Sequence, residues 1–310
     1  MNGLKNMVAS LNLLVQPFHK DNILKQVAPS SLLRTTKAPK IIIFDSGIGG
    51  LGTFKALEEM KVSYTLDYIA DTGFFPYGEK LDNILKQRIL SVISKAVTSL
   101  SPDMVIIACN TASTLALPIL RKHFPELPIL GCVPPIKWAA ELSQTRSLGL
   151  LSTSATARRS YVDNLQKRFA PECTIYRHGS AWLAKEAEKI FNGLQPSKDI
   201  LINEINALFL SSSHKVRPID CVALGCTHYS FLLPWLKKYS PKNVQWLDPQ
   251  PAVARHAVNL IEEHFHKESL IFKKETPTFF YTGEKIREES PLTKSLENFG
   301  FKKIESFSIP

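Results

Sequence analysis

MVIIACNTAS (104–113) and CVALGCTHYS (221–230) decide the fold. Each begins with a short apolar run, passes through a small residue to a cysteine, and continues into polar residues of the kind that start a helix. Apolar runs of this length, bounded by turn signals, read as strands buried on both faces. Both stretches follow another strand with a polar turn. IIIFD (41–45) runs into Ser46 and the glycines Gly47, Gly49 and Gly50, and LGLL (148–151) breaks into the turn Ser152–Thr156. The same programme therefore runs twice. Helices are expected from about Thr53, from Asp82 as N-cap, and near 112–123, 157–169, 182–192, 198–211 and 251–266. Further strands are expected near 128–133, at Trp246–Leu247, at FFYTG (279–283) and near 304–308. Strands alternating with helices define an α/β protein. The expectation is two similar α/β domains with mostly parallel sheets facing one cleft.

Composition agrees. The chain has 310 residues, 44% hydrophobic and 21% charged, enough for a packed core and against wholesale disorder. No apolar run approaches the roughly 20 residues that span a bilayer. The five cysteines form no C-x-x-C pair, which argues against a disulfide scaffold or zinc ribbon and for a reducing cytoplasm. Net charge is +10, and half of it lies in residues 1–40, where six cations face Asp21 alone. Residues 1–39 read as an appendage, with Leu4, Val8, Leu11 and Val15 at near-helical spacing. The hexapeptide DNILKQ occurs at 21–26 and again at 82–87, without a physical explanation. No basic stripe with interleaved aromatics marks a nucleic-acid footprint.

Cysteine is usually a core residue, and Cys132, Cys173 and Cys221 fit that role. Cys109 and Cys226 differ because each follows its strand. Open α/β sheets bind ligands at the carboxyl ends of their strands, so two like units would bring two thiols to one cleft. Helix N-termini there are expected to lower a thiol pKa from about 8.5 toward neutrality. Two opposed thiols suit inversion of an α-carbon, in which one group removes a proton and its equivalent delivers one to the other face. No Schiff-base lysine setting and no metal-ligand cluster is evident, so the chemistry is read as cofactor-free. Asp45 would support Cys109 or take a substrate ammonium. Asn110, Thr111 and Thr227 would hold carboxylates, with His228 orienting or deprotonating Cys226. PYGEK (76–80) would close over a side chain through its backbone and phenol.

FDSGIGGLGTF (44–54), FPYGEK (75–80), ACNTAST (108–114) and LGCTHY (224–229) resemble the four signature segments of the glutamate racemase family, cofactor-independent racemases of the aspartate/glutamate racemase superfamily. PILGCVPPIKWAA (128–140), SLGLLSTSATARRSYV (147–162) and WLDPQPAVARHA (246–257) extend the likeness over about 40–285. The resemblance implies Cys109 and Cys226 as the acid/base pair, assisted by Asp45 and His228. It implies substrate contacts from Asp45, Ser46, Tyr77, Gly78, Asn110, Thr111, Thr227 and His228. More loosely, it adds Thr156 as a contact and Glu188, in AWLAKEAEKIF (181–191), near the second thiol. Cys226 would act on L-glutamate and Cys109 on D-glutamate, supplying peptidoglycan synthesis. In such a family one domain is inserted into the other, here 137–247 into 40–136 plus 248–310. A cell-wall precursor effector and a homodimer are further expectations of the resemblance. Ser230 stands where proline is common, and Pro134–Pro135 also departs from the pattern.

The alternatives are weaker. A related racemase acting on aspartate would carry the same thiols. An Asp-nucleophile phosphohydrolase would want a second Asp where Gly47 stands. A nucleotide-binding module lacks G-x-x-x-x-G-K-[ST]. A partner-binding role would rest on the basic appendage alone.

Overall fold

A computed structural model describes residues 38–60, 64–210, 217–264 and 276–309. The appendage up to residue 37, with the first DNILKQ copy and the expected N-terminal helix, lies outside the described residues.

The strands are β1 (Lys40–Asp45), β2 (Thr65–Ala70), β3 (Met104–Ile107), β4 (Ile129–Gly131), β5 (Ser147–Thr153), β6 (Thr174–Ser180), β7 (Cys221–Gly225), β8 (Gln245–Leu247), β9 (Thr278–Tyr281) and β10 (Lys303–Ser306). They form two sheets, β10-β9-β2-β1-β3-β4 and β6-β5-β7-β8, and every pairing is parallel. The second order repeats the β2-β1-β3-β4 portion of the first. The doubled sequence pattern is therefore a doubled sheet, to which the first unit adds β9 and β10. In each sheet the chain moves one way from its first strand and then crosses to the other side. The resulting switch points lie between β1 and β3 and between β5 and β7.

The helices are α1 (Leu51–Glu58), α2 (Asp82–Leu100), α3 (Asn110–His123), α4 (Ile136–Leu142), α5 (Ser154–Arg158), α6 (Ser160–Phe169), α7 (Leu183–Phe191), α8 (Lys198–Leu210), α9 (Leu233–Tyr239), α10 (Gln250–His264) and α11 (Pro291–Asn298). Both faces of the first sheet are covered. Ile41 and Ile43 join Phe54, Tyr68, Val253 and Phe301 on one side, while Ile42 and Phe44 join Ile89, Val92 and Leu120 on the other. Consecutive residues of β1 thus serve opposite cores, which is why IIIFD is apolar throughout. Leu85, Ile89, Val92, Ile93 and Ala96 form the buried stripe of α2, as their spacing predicts.

Some readings need correction. Asp82 is the first residue of α2 and not its cap; Leu81 holds the cap position, and Asp82 instead pairs with Arg159 of the loop between α5 and α6 at 2.6 Å. β5 extends through Ser152 and Thr153 before α5 begins, so the polar turn is shorter than expected. β2 and β6 were not expected as strands. Among the described residues no helix is long and apolar enough to cross a membrane.

Candidate active site

The switch points of the two sheets supply the site. Cys109 caps α3 immediately beyond β3, and Cys226 follows β7 and leads into a 3₁₀ turn, Thr227–Leu232. Both cysteines line one small cavity. Ser46, Tyr77, Gly78, Asn110, Thr111 and His228 line it too. Phe75, Pro76, Thr153 and Ala184 complete the wall. Asp45, Thr156, Thr227 and Glu188 stand behind this lining, joined to it by hydrogen bonds.

Each sulfur has its own polar chain. The Cys109 thiol reaches Ser46 Oγ at 3.8 Å, and Ser46 Oγ donates to Asp45 Oδ1 at 3.4 Å. Asp45 also accepts from the Gly47 N–H at 3.2 Å and, through Oδ2, from Thr227 Oγ1 of the other unit at 3.0 Å. On the second side, Cys226 Sγ lies 3.9 Å from His228 Nδ1. His228 Nε2 is 2.8 Å from Glu188 Oε1, which in turn accepts the Ile48 N–H at 3.0 Å. The two chains therefore interlock. Thr227 of the second unit holds the carboxylate of the first, and the turn after β1 holds the Glu188 that partners His228.

Gly49 makes the interlocking sterically feasible. A Cβ there would sit 2.4 Å from both His228 Nδ1 and Thr227 Oγ1. Gly49 is not in the left-handed backbone region, so the requirement is space. Side chains of the opposite unit approach the backbone at Gly49.

The electrostatics depart from the helix-terminus expectation. Burial is the main influence on Cys109 and raises its pKa; the Asp45 charge adds to this, outweighing the Ala112 N–H and Ser46. The turn after Cys226 is 3₁₀ and not α-helical, and the positive partner there is a side chain. Burial disfavours a charged His228, but hydrogen bonds to Cys226 and Glu188 outweigh it and hold the imidazole pKa well above its ordinary value. Burial also lifts Asp45 from 3.8 to about 6, against the lowering influences of His228, Thr227 and Gly47.

That last shift has a measurable consequence. A carboxyl that titrates near 6 in the fold and near 3.8 when unfolded binds more protons folded than unfolded between those values. Stability therefore falls as pH rises through that window, by on the order of 2 to 3 kcal/mol. Asp45→Asn removes this cost. Denaturant unfolding should find the variant more stable than the parent at pH 7, with the difference shrinking toward pH 4. A variant equally destabilised at both values would contradict the assignment.

The other candidate contacts come together as well. Thr111 Oγ1 lies 3.0 Å from Thr153 Oγ1 and 3.3 Å from Thr156 Oγ1, so hydroxyls of both units meet at the α3 start. Asn110 places its amide nitrogen 3.6 Å from Cys132 Sγ, leaving its buried Oδ1 without a partner. The Tyr77 phenol donates to Asp71 at 2.6 Å, and Arg88 grips the same carboxylate. The Tyr77–Gly78 segment is thereby fixed from behind. Sequence reasoning missed Phe75, Thr153 and the Asp71–Arg88 pair. Thr153 was accessible to it: it ends β5 as Asp45 ends β1 in the doubled pattern.

Among the described residues, no group of three or more His, Cys, Asp or Glu side chains is arranged to hold a metal. All five cysteines are free thiols.

Two like-built parallel sheets converging two thiols on one cavity agree with the class found by comparison: the family model for Asp/Glu/Hydantoin racemase matches residues 80–257, more than half of the chain. A glutamate racemase of Granulibacter bethesdensis is 48% identical over 74% of this chain and 80% of its own length. One from Proteus mirabilis is 34% identical over 93% and 97%. The crystal structure of Escherichia coli glutamate racemase with L-glutamate and the activator UDP-MurNAc-ala superposes with a TM-score of 0.77, at 32% identity, over 88% of this chain and 99% of that one. The chain belongs to the glutamate racemase family, and it is an amino-acid isomerase.

Proposed function

We propose that this chain interconverts L- and D-glutamate by proton transfer between two thiols and the α-carbon, without a cofactor. The observation that carries the reading is the convergence of Cys109 and Cys226 on one cavity, each from its own sheet and each with its own polar chain. Cys226, relayed to His228 and Glu188, takes the α-proton of the L form. The electron pair stays on the α-carbon and its carboxylate, and the Cys109 thiol gives its proton to the opposite face. The D form reverses these roles. The N–H groups at the start of α3 and the Thr111 hydroxyl supply dipoles for the developing charge, while Thr227 acts through Asp45. Asp45, Ser46, Asn110, Thr156 and the Tyr77–Gly78 segment complete the substrate shell.

Two domains, 40–136 with 248–310 and 137–247, agree with sheet membership. A cytoplasmic supply of D-glutamate for peptidoglycan is the role the family supports. The activator in the Escherichia coli relative supports a cell-wall precursor as effector. Circular dichroism of L-glutamate incubated with the purified chain, without pyridoxal phosphate or added metal, should decay to zero. A signal unchanged both with and without UDP-MurNAc-alanine would overturn the reading.

A further inference from the structure

Gln250 opens α10, where the chain returns from the second sheet to the first, and its side chain is fully buried. Its amide makes every hydrogen bond open to it, and these divide between the two units. Oε1 accepts from the Thr53 N–H at 2.8 Å and from Thr53 Oγ1 at 3.1 Å, both on α1. Nε2 donates to the Thr227 carbonyl at 3.1 Å and to Ser230 Oγ at 2.7 Å, both in the turn that follows Cys226. Gly52 leaves room for this approach, since a Cβ there would lie 2.7 Å from Nε2. Ser230 stands where the sequence departs from the family pattern, and Asp248 Oδ1 accepts the Gln250 N–H at 3.0 Å. The Cys226 turn is therefore tied to the first unit at both ends of Thr227. The hydroxyl reaches Asp45, and the carbonyl reaches Gln250.

We infer that Gln250 is a positioning residue that fixes the Cys226–His228 turn relative to the unit carrying Cys109. The amide touches neither sulfur and acts through Thr227. This inference rests on the two-thiol reading above. A side-chain amide of fixed length sets how far α1 and the turn stand apart, and proton transfer is sensitive to distance. Misplacement by about 1 Å can cost on the order of a hundredfold.

The test is Gln250→Met, which keeps the length and removes all four hydrogen bonds. Glutamate KM should stay within about threefold while kcat falls by roughly ten- to a hundredfold. The decisive readout is the α-deuterium isotope effect on kcat/KM, measured separately with labelled L- and D-glutamate. Slowing the Cys226 step alone should raise the effect for the L form and lower it for the D form. Unchanged isotope effects for both forms would overturn the inference. If Gln250→Met does not fold, Ser230→Ala decides, because it deletes one of the four contacts at a half-buried residue. A smaller shift of the two isotope effects in the same directions supports the inference, and parent isotope effects refute it. Failure of the two-thiol reading is distinguishable, because Cys226→Ala would then still racemise whatever Gln250 does.

Discussion

Cys109→Ala in deuterated water should racemise neither enantiomer, yet should slowly wash deuterium into L-glutamate; Cys226→Ala should do the reverse. In the proposed mechanism each sulfur serves one face of the α-carbon, so removing one leaves that face without a proton donor. The remaining thiol still exchanges the proton it takes through its own chain, Cys226 through His228 and Glu188, Cys109 through Ser46 and Asp45. Loss of a general acid or base costs roughly 10²–10⁴-fold, and inversion should lose more because both transfers are needed. Proton NMR of the α-hydrogen alongside chiral chromatography reads both outcomes. Racemisation near the parent rate by either variant would assign the second transfer to another residue.

The next largest effect should come from His228→Gln. His228 is the basic group beside Cys226, with its pKa held well above the ordinary imidazole value. Replacing it should lower kcat by about 10²–10³-fold, while Glu188→Gln, one bond further from the sulfur, should cost roughly tenfold. Stability carries the same signature. A histidine whose pKa is raised by folding contributes stability that is complete below about 6.5 and is lost as pH rises through the raised value. Thermal melts of parent and His228→Gln should therefore converge at high pH. Equal separation from pH 6 to pH 10 would show that His228 is not cationic in the fold.

The sheet order explains what was legible in the sequence. β1, β3, β5 and β7 are central strands, flanked on both sides and covered on both faces, so their sequences are apolar runs that announce themselves. β6 is an edge strand, and TIYRHGS mixes half-exposed polar residues with few apolar ones. β2 is fully buried, yet TLDYIA carries Thr65 and Asp67. Asp67 answers to the Thr278 N–H at 3.0 Å and to Lys40 at 3.1 Å, contacts with segments distant in sequence.

The same distinction governs the site. Cys109 and Cys226 stood out because each follows an apolar strand, a purely local signal. Glu188 lies within a helix that reads as ordinary amphipathic surface, and only the fold brings it to His228 across the units. Gln250, forming bonds to residues 20 and 197 positions away, carries no local signal at all. The expected lowering of the Cys109 pKa failed because a sequence shows a helix start but not the depth at which it is buried.

The most direct test of the two-thiol account uses the unaltered protein. L-glutamate is allowed to react to a few per cent conversion in deuterated water, and α-deuterium is measured separately in product and remaining substrate. A proton taken by Cys226 and a deuteron delivered by Cys109 predict D-glutamate carrying deuterium while the remaining L-glutamate keeps protium, with the mirror result from D-glutamate. Protium retained in the product, or deuterium appearing equally in product and substrate from the outset, would mean that one group serves both faces.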